Sequence, residues 1–167
     1  MRTFETRRVV PHTGDHMFEL VADVENYPKF VPLCKALVVR ERTESGERTT
    51  LIADMTVAFK LFQETFCSRV VLDHARRRIA VDYLDGPFRQ LENRWSFMPV
   101  DDRHCEVDFF LSYELRSRSL QVLVGAVFDR AFAKFADAFE RRADLVYGRP
   151  PSETGFRPFQ RVQGGQV

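Results

Sequence analysis

The sequence predicts an α+β domain: a curved antiparallel sheet of about seven strands wrapped around one long C-terminal helix, with two short helices after the first strand. Three observations carry this prediction. Residues 34–115 fall into six consecutive stretches of strand length separated by short turns. The chain from Ser117 to about Tyr147 changes to a helical repeat. The remaining apolar segments near the N-terminus are short, so the helices are segregated from the strands along the chain rather than alternating with them.

Residues 3–10 alternate, with Phe4, Thr6, Arg8 and Val10 on one face of a strand. Pro11–Asp15 reads as a turn and helix start, with Thr13 or Asp15 as N-cap. The short helix that follows carries Met17, Phe18, Leu20, Val21 and Val24 toward a core until Asn26-Tyr27-Pro28 interrupts it. Tyr27–Leu33 is then an apolar connection bounded by Pro28 and Pro32. Strands are expected near 34–43, 48–59, 62–73, 76–84, 89–98 and 104–115. The last is the clearest: Cys105, Val107, Phe109, Leu111, Tyr113 and Leu115 share one face, and mostly polar residues share the other. Such alternation means one covered and one wet face, as in antiparallel sheets. Ser117 or Ser119 caps the final helix, which Gly148 and Pro150-Pro151 end. At 100° per residue Phe128, Phe132, Phe135 and Phe139 fall within an arc of roughly 60°. Asp129, Arg130, Lys134, Asp137, Glu140, Arg141 and Asp144 fill the opposite side. Residues 1–148 form the domain, and the Gly-, Pro-, Gln- and Arg-rich 149–167 are expected to be a disordered tail.

Composition narrows the function. Sixteen Phe stand against four Tyr and one Trp, and phenyl groups need no hydrogen-bond partner when buried. Phe-rich walls suit either a dry core or a pocket for an apolar guest. A net charge of +1 gives no global footprint for DNA or an anionic membrane, although Arg7-Arg8, Arg76-Arg77-Arg78 and Arg116/Arg118 are local basic clusters. Cys34, Cys67 and Cys105 are odd in number and far apart, which argues against a disulfide framework and against a metal site. The N-terminus lacks an apolar h-region and no run reaches membrane-spanning length, so the expected location is the cytoplasm.

In a meander, alternate connections share one end of the sheet. The turns around 44–47, 73–76 and 99–103 share one end and are mostly polar. The other end collects Tyr27–Leu33, the turn Phe59–Phe62, the turn Asp85–Phe88 and the helix start Leu120–Phe128, which is apolar almost all round. Apolar turns are unusual. They either close over the core or rim an opening for an apolar ligand, a membrane or a protein. The rim residues are Tyr27, Phe30, Phe62, Phe88, Leu120 and Val124. Among polar residues that strand parity turns inward, Glu64, Ser68, Asn93 and Tyr113 are placed either to orient a ligand's polar head or simply to bond each other.

Catalytic candidates are thin. His74 and His104 sit in polar-end turns next to acids, and His12 and His16 bracket a helix start. All four suit structural roles. No phosphate-binding glycine loop, GxSxG or HExxH occurs. No catalytic residue and no covalent cofactor is assigned.

Four blocks in register resemble the coenzyme Q-binding, START-like family. They are Tyr27–Cys34 (YPxFxPxC), Val57–Lys60 with Glu64–Val70, Gly86–Leu91 with Trp95 (GPFxxLxxxW), and Ala138–Ala143 with Tyr147-Gly148. The similarity spans roughly residues 1–148. It implies a helix-grip fold with a hydrophobic tunnel between sheet and C-terminal helix. The tunnel would be lined by Phe59, Phe66 and Val70, by Trp95 and Phe97, by Phe109, Leu111 and Tyr113, and by Phe128, Phe132 and Phe135 of the helix. Members are similar to polyketide cyclases and lipid carriers. The mitochondrial branch implies non-enzymatic binding of ubiquinone or another polyprenyl quinone or lipid in support of respiration, with peripheral contact at the inner membrane. The bacterial ribosome-association toxin branch implies binding to the large ribosomal subunit and inhibition of translation initiation. An aromatase or cyclase is the third reading, and would need an inward acid–base pair such as Glu64 and Tyr113. Ala58 and Leu61 stand where many relatives carry glycine, and Leu33 where tryptophan is common, which bears on the tunnel mouth.

Overall fold

Seven segments that alternate apolar with polar residues can cover their apolar faces only together, and in the computed structural model they form one antiparallel sheet. Residues 1–149 and the backbone of 160–163 are described. β1 (Arg2–Val10) leads to α1 (Gly14–Ala22) and a 3₁₀ helix (Val24–Lys29). The meander follows as β2 (Cys34–Ser45), β3 (Arg48–Phe59), β4 (Phe62–Asp73), β5 (Arg78–Asp85), β6 (Phe88–Pro99) and β7 (Cys105–Leu115). Then come α2 (Arg118–Ala133), α3 (Phe135–Tyr147) and β8 (Gln160–Gln163). The strand order is β2-β3-β4-β5-β6-β7-β1-β8. The fold is the α+β helix grip that the sequence predicts.

Local chemistry sets the boundaries. Thr13 Oγ1 accepts the His16 N–H at 3.1 Å and starts α1, and Ser117 Oγ accepts the Leu120 N–H at 3.1 Å and starts α2. β1 closes onto the end of the meander, pairing with β7 from Arg2↔Tyr113 to Val10↔Cys105. Its other edge would leave N–H and C=O groups unpaired, and β8 pairs there from Thr6↔Gln163 to Val9↔Gln160. This short strand lies within the segment 149–167 that is expected to be a disordered tail. For 150–159 and 164–167 that expectation lies outside the described residues.

The C-terminal helix departs from the single rod expected. It is broken at Lys134 (φ −99°, ψ −1°), whose N–H turns back to the Ala131 carbonyl at 3.1 Å before α3 restarts at Phe135. Neither Gly nor Pro marks the place, so periodicity alone reads one continuous rod. The tightened turn bends the rod along the curled sheet. Four acids on the side opposite the phenylalanine arc meet β1 and the turn that follows it. Arg2 pairs with Asp129 at 3.1 Å, Arg8 with Asp137 at 2.7 Å and Glu140 at 3.8 Å, and His12 Nε2 lies 2.7 Å from Asp144. Burial pushes the Glu140 carboxyl up, and the Arg8 charge opposes that shift.

Arg8 is only 2% exposed, so truncating it strands two carboxylates against the sheet. Arg8→Ala is expected to cost about 3 kcal/mol, the low end for breaking a buried pair because Asp137 keeps some solvent. Arg2→Ala, at an exposed pair, is expected to cost under about 1 kcal/mol. Urea midpoints at unchanged m-value separate the two.

Candidate functional site

The helix is pinned over β1 and β7, so the inner face of β2–β6 is covered less completely. An internal cavity of about 90 Å³ lies there. Leu37 of β2, Ala53, Met55 and Val57 of β3, Phe66 and Val70 of β4, and Ile79 and Val81 of β5 form its floor. Leu91, Trp95 and Leu111 continue it, and Val24, Tyr27, Phe132 and Phe135 roof it.

Three polar side chains other than the Trp95 indole reach this wall. Asn93 is occupied: its Nδ2 donates to the Phe110 carbonyl at 2.9 Å, and its Oδ1 accepts the Trp95 indole N–H at 2.9 Å. The Tyr27 hydroxyl donates to the Val21 carbonyl at 2.5 Å, and burial pushes its phenol far above the ordinary range. Ser68 differs. Its Oγ is buried and has no hydrogen-bond partner among the described residues. A hydroxyl left so costs free energy unless something supplies an acceptor.

The structure thus brings Phe66, Val70, Trp95, Leu111, Phe132 and Phe135 to the cavity together with Ser68 and Asn93. It does not bring the other expected residues. Phe59 continues the inward parity of β3 but ends the strand, and it is 37% exposed outside the cavity. Phe97 and Phe109 are spent on packing, Phe97 against Phe18 of α1 and Phe109 against Trp95 at 4.7 Å. Phe128 packs among Phe62, Phe88 and Phe132. Tyr113 donates its hydroxyl to Asp129, and burial raises its phenol. Glu64 lies off the wall near the β3–β4 turn.

Of the expected rim, Phe62, Phe30 and Leu120 are half-buried at the apolar end, whereas Tyr27 lines the cavity itself. Phe88 and Val124 are buried core residues. For Phe88 the cause is a β-bulge between Phe88 and Gln90, which shifts side-chain parity by one and swings the ring inward onto Phe66, Tyr83, Tyr113 and Phe128. Gly86 makes this turn possible: at φ 144° it presses so close to β4 that a Cβ would lie 2.5 Å from that of Phe66. Val124 lies on the sheet side of α2, while Val122 and Leu123 stay exposed.

The residues that sequence reasoning missed are aliphatic: Val24, Leu37, Ala53, Met55, Val57, Ile79, Val81 and Leu91. The signal was there, since Ala53, Met55 and Val57 alternate on one face of β3. A second hollow of about 230 Å³ lies outside, between Pro32, Leu33 and Phe59 on one side and Val127, Arg130, Ala131 and Lys134 on the other. Cavity and hollow flank the helix break: Phe132 and Phe135 face in, Ala131 and Lys134 face out.

Among the described residues no acid–base pair lines the cavity. The histidines are engaged elsewhere, His74 with Thr49 Oγ1 at 2.8 Å and His104 with Asp101 at 2.8 Å. The Asp101 carboxyl is held low by the Arg103 N–H and by His104. Burial pushes the Cys34 thiol up to about 11 and the Cys105 thiol to about 12, which disfavours a thiolate nucleophile. Among the described residues no group of three His, Cys, Asp or Glu is arranged to hold a metal ion, and no helix is long and apolar enough to cross a membrane.

Comparison with known proteins agrees with this architecture. Residues 10–140 match the family model described as polyketide cyclase / dehydrase and lipid transport. The chain is 32% identical over 148 residues to the ribosome association toxin RatA of Vibrio cholerae, covering 89% of this chain and 99% of that protein. It is 30% identical to the mitochondrial coenzyme Q-binding protein COQ10 homolog B of Xenopus laevis, covering 87% of this chain and 59% of that one. The solution structure of an 18 kDa protein from Caulobacter crescentus superposes with a TM-score of 0.71 at 36% identity, covering 89% of this chain and 99% of that one.

The placement of Phe88 makes a measurable contrast with Phe59. Phe88→Ala is expected to destabilise by ~3–5 kcal/mol through lost burial and a cavity. Phe59→Ala, at a partly solvated strand end, is expected to cost under about 1 kcal/mol. Denaturant melts of the two variants read the difference directly.

Proposed function

The chain belongs to the polyketide cyclase / dehydrase and lipid transport family, and from that premise we propose that it binds an apolar molecule with a hydrogen-bond-accepting head without transforming it. A polyprenyl quinone such as ubiquinone is the class that fits, and support of respiration is the role. The observation that carries this reading is Ser68, whose hydroxyl is buried without a partner among the described residues in an otherwise apolar wall. A quinone carbonyl would accept from it. The cavity wall holds no carboxylate, imidazole or amine, which favours a carrier over a cyclase.

The cavity of about 90 Å³ has room for a few waters rather than a quinone ring, since ligand pockets run to about 300–1,000 Å³. Uptake therefore needs the wall to part. The break at Lys134 lies between the cavity and the outer hollow, and movement there would join them. Leu61 and Val122, fully solvated at the apolar end, would meet a bilayer during loading. That gives peripheral, transient contact with the inner membrane from a cytoplasmic protein.

A second reading, association with the large ribosomal subunit, is favoured by the likeness to the Vibrio cholerae ribosome association toxin over nearly its full length. In this reading the chain inhibits translation initiation, and the cavity holds a molecule that accompanies that role.

The first reading has a two-sided signature at Ser68. A short-chain ubiquinone analogue should raise the melting temperature of the wild type by linkage. Ser68→Ala should weaken that binding about 5–10-fold by removing one hydrogen bond, yet stabilise the empty protein by about 1 kcal/mol by removing an unsatisfied buried hydroxyl. Absence of any thermal shift with quinones, together with a lipid-free organic extract of the purified protein, would discard the reading.

A further inference from the structure

The outer face of the sheet, opposite the cavity, is hollowed into a groove of about 650 Å³ that runs from β1 across β7, β6, β5 and β4 to the start of β3. Five arginines line it against three carboxylates, although the chain as a whole carries a net charge of only +1. The positive excess is therefore local. Arg7 and Arg48 hold their acids loosely, at 3.5 Å from Asp108 and 3.9 Å from Asp73, and remain 59% and 64% exposed. Arg76 and Arg78 form no ion pair among the described residues. Arg94 lies over the Phe110 ring at 4.5 Å and its Nε is 3.1 Å from Glu92, so ring and carboxylate together set a flat guanidinium at the groove floor.

The backbone explains how this set arises from the run Arg76-Arg77-Arg78. Arg77 sits at φ 52°, and its side chain turns away to Asp15 of α1 at 2.5 Å. Its two neighbours are left to the groove. The arginines of the far edge lie outside the groove: Arg40 pairs with Asp54, and Arg42 lies 3.6 Å from Glu25.

We propose that this groove binds single-stranded RNA, with Arg76, Arg78 and Arg48 meeting successive phosphates and the Arg94–Phe110 stack seating one base. The inference rests on the ribosome-association reading and deepens it by naming the surface and the chemistry. Loosely held guanidinium groups exchange carboxylates for phosphates at little cost, because Arg–phosphate pairs are charge-assisted and often bidentate. A flat cationic platform selects unpaired bases, since a duplex keeps its base faces stacked inside. An acidic peptide would use the charges but not the platform.

The test pairs two measurements on the full chain. Fluorescence anisotropy reads binding of a short labelled single-stranded RNA at low salt, and co-sedimentation reads binding to isolated large ribosomal subunits. The double variant R76E/R78E is expected to weaken both by about tenfold or more, and to lower the salt slope by about 1 for each phosphate that is no longer neutralised. R94K, which keeps the charge and loses the stack, should weaken RNA binding with little change in slope. R42E, on the far edge, should change neither, and circular dichroism should show all variants folded. If subunits co-sediment equally with R76E/R78E, the groove is wrong while the ribosome reading stands. RNA binding that R76E/R78E and R94K weaken, with no co-sedimentation, supports the groove and removes the ribosome reading. Failure of the wild type to bind either partner overturns both. Equal competition by duplex DNA also overturns the proposal, because it would leave only a polyanion surface.

Discussion

The line of polar contacts between β1 and the C-terminal helix decides where everything else in this molecule lies. Arg2, Arg8 and His12 meet Asp129, Asp137 with Glu140, and Asp144 in the same order along both elements. Such pairs add little net stability once desolvation is counted, but a broken one is costly, so they act on register. They hold the helix above β1 and β7. A helix is about 10 Å across and strands stand about 4.8 Å apart, so one helix cannot cover a seven-strand face unaided. The uncovered part, over β2–β6, is where the cavity lies. Moving the pins would move the void.

Much of this was legible in the sequence for a plain reason. Alternation in residues 34–115 reports which face of each strand is wet, and the arc of Phe128, Phe132, Phe135 and Phe139 reports which face of the helix is dry. Both survive into the structure because burial dominates them. The failures share a cause too: each depends on a local break in a period. One bulge at Phe88/Gln90 reverses parity and turns an expected rim residue into the hub of an aromatic cluster. One tightened turn at Lys134 divides the helix. Strand alternation put Arg8 on one face with Phe4 and Val10, but spacing alone does not name its partners Asp137 and Glu140, which lie 129 or more residues away in the chain. Phenylalanines drew attention as tunnel walls, yet six of the eight floor residues are Val, Ile, Leu or Met, the ordinary residues of strand interiors.

Ser68 and Asn93 separate what a polar residue on an inner face can mean. They lie on the same wall, and strand parity singles out both. Asn93 is consumed by holding the Trp95 indole and the Phe110 carbonyl, so it shapes the wall. Ser68 is consumed by nothing described. Only the second is a reason to look for a ligand, because a satisfied group gains nothing from an incoming acceptor.

The two faces of one sheet also stand in a defined mechanical relation. Trp95 and Leu111 point into the cavity, and their chain neighbours Arg94 and Phe110 point to the outer groove. Asn93 stitches the two strands beneath them through the Phe110 carbonyl. β6 and β7 are paired along almost their whole length here. An opening at the helix break, as proposed above, would deform the roof and leave this paired floor in place. A guest inside and a polyanion outside would bind with little coupling, since coupling requires an element with two arrangements that both ligands sense. On this geometry, carrying an apolar molecule and docking through the outer face are compatible within one chain.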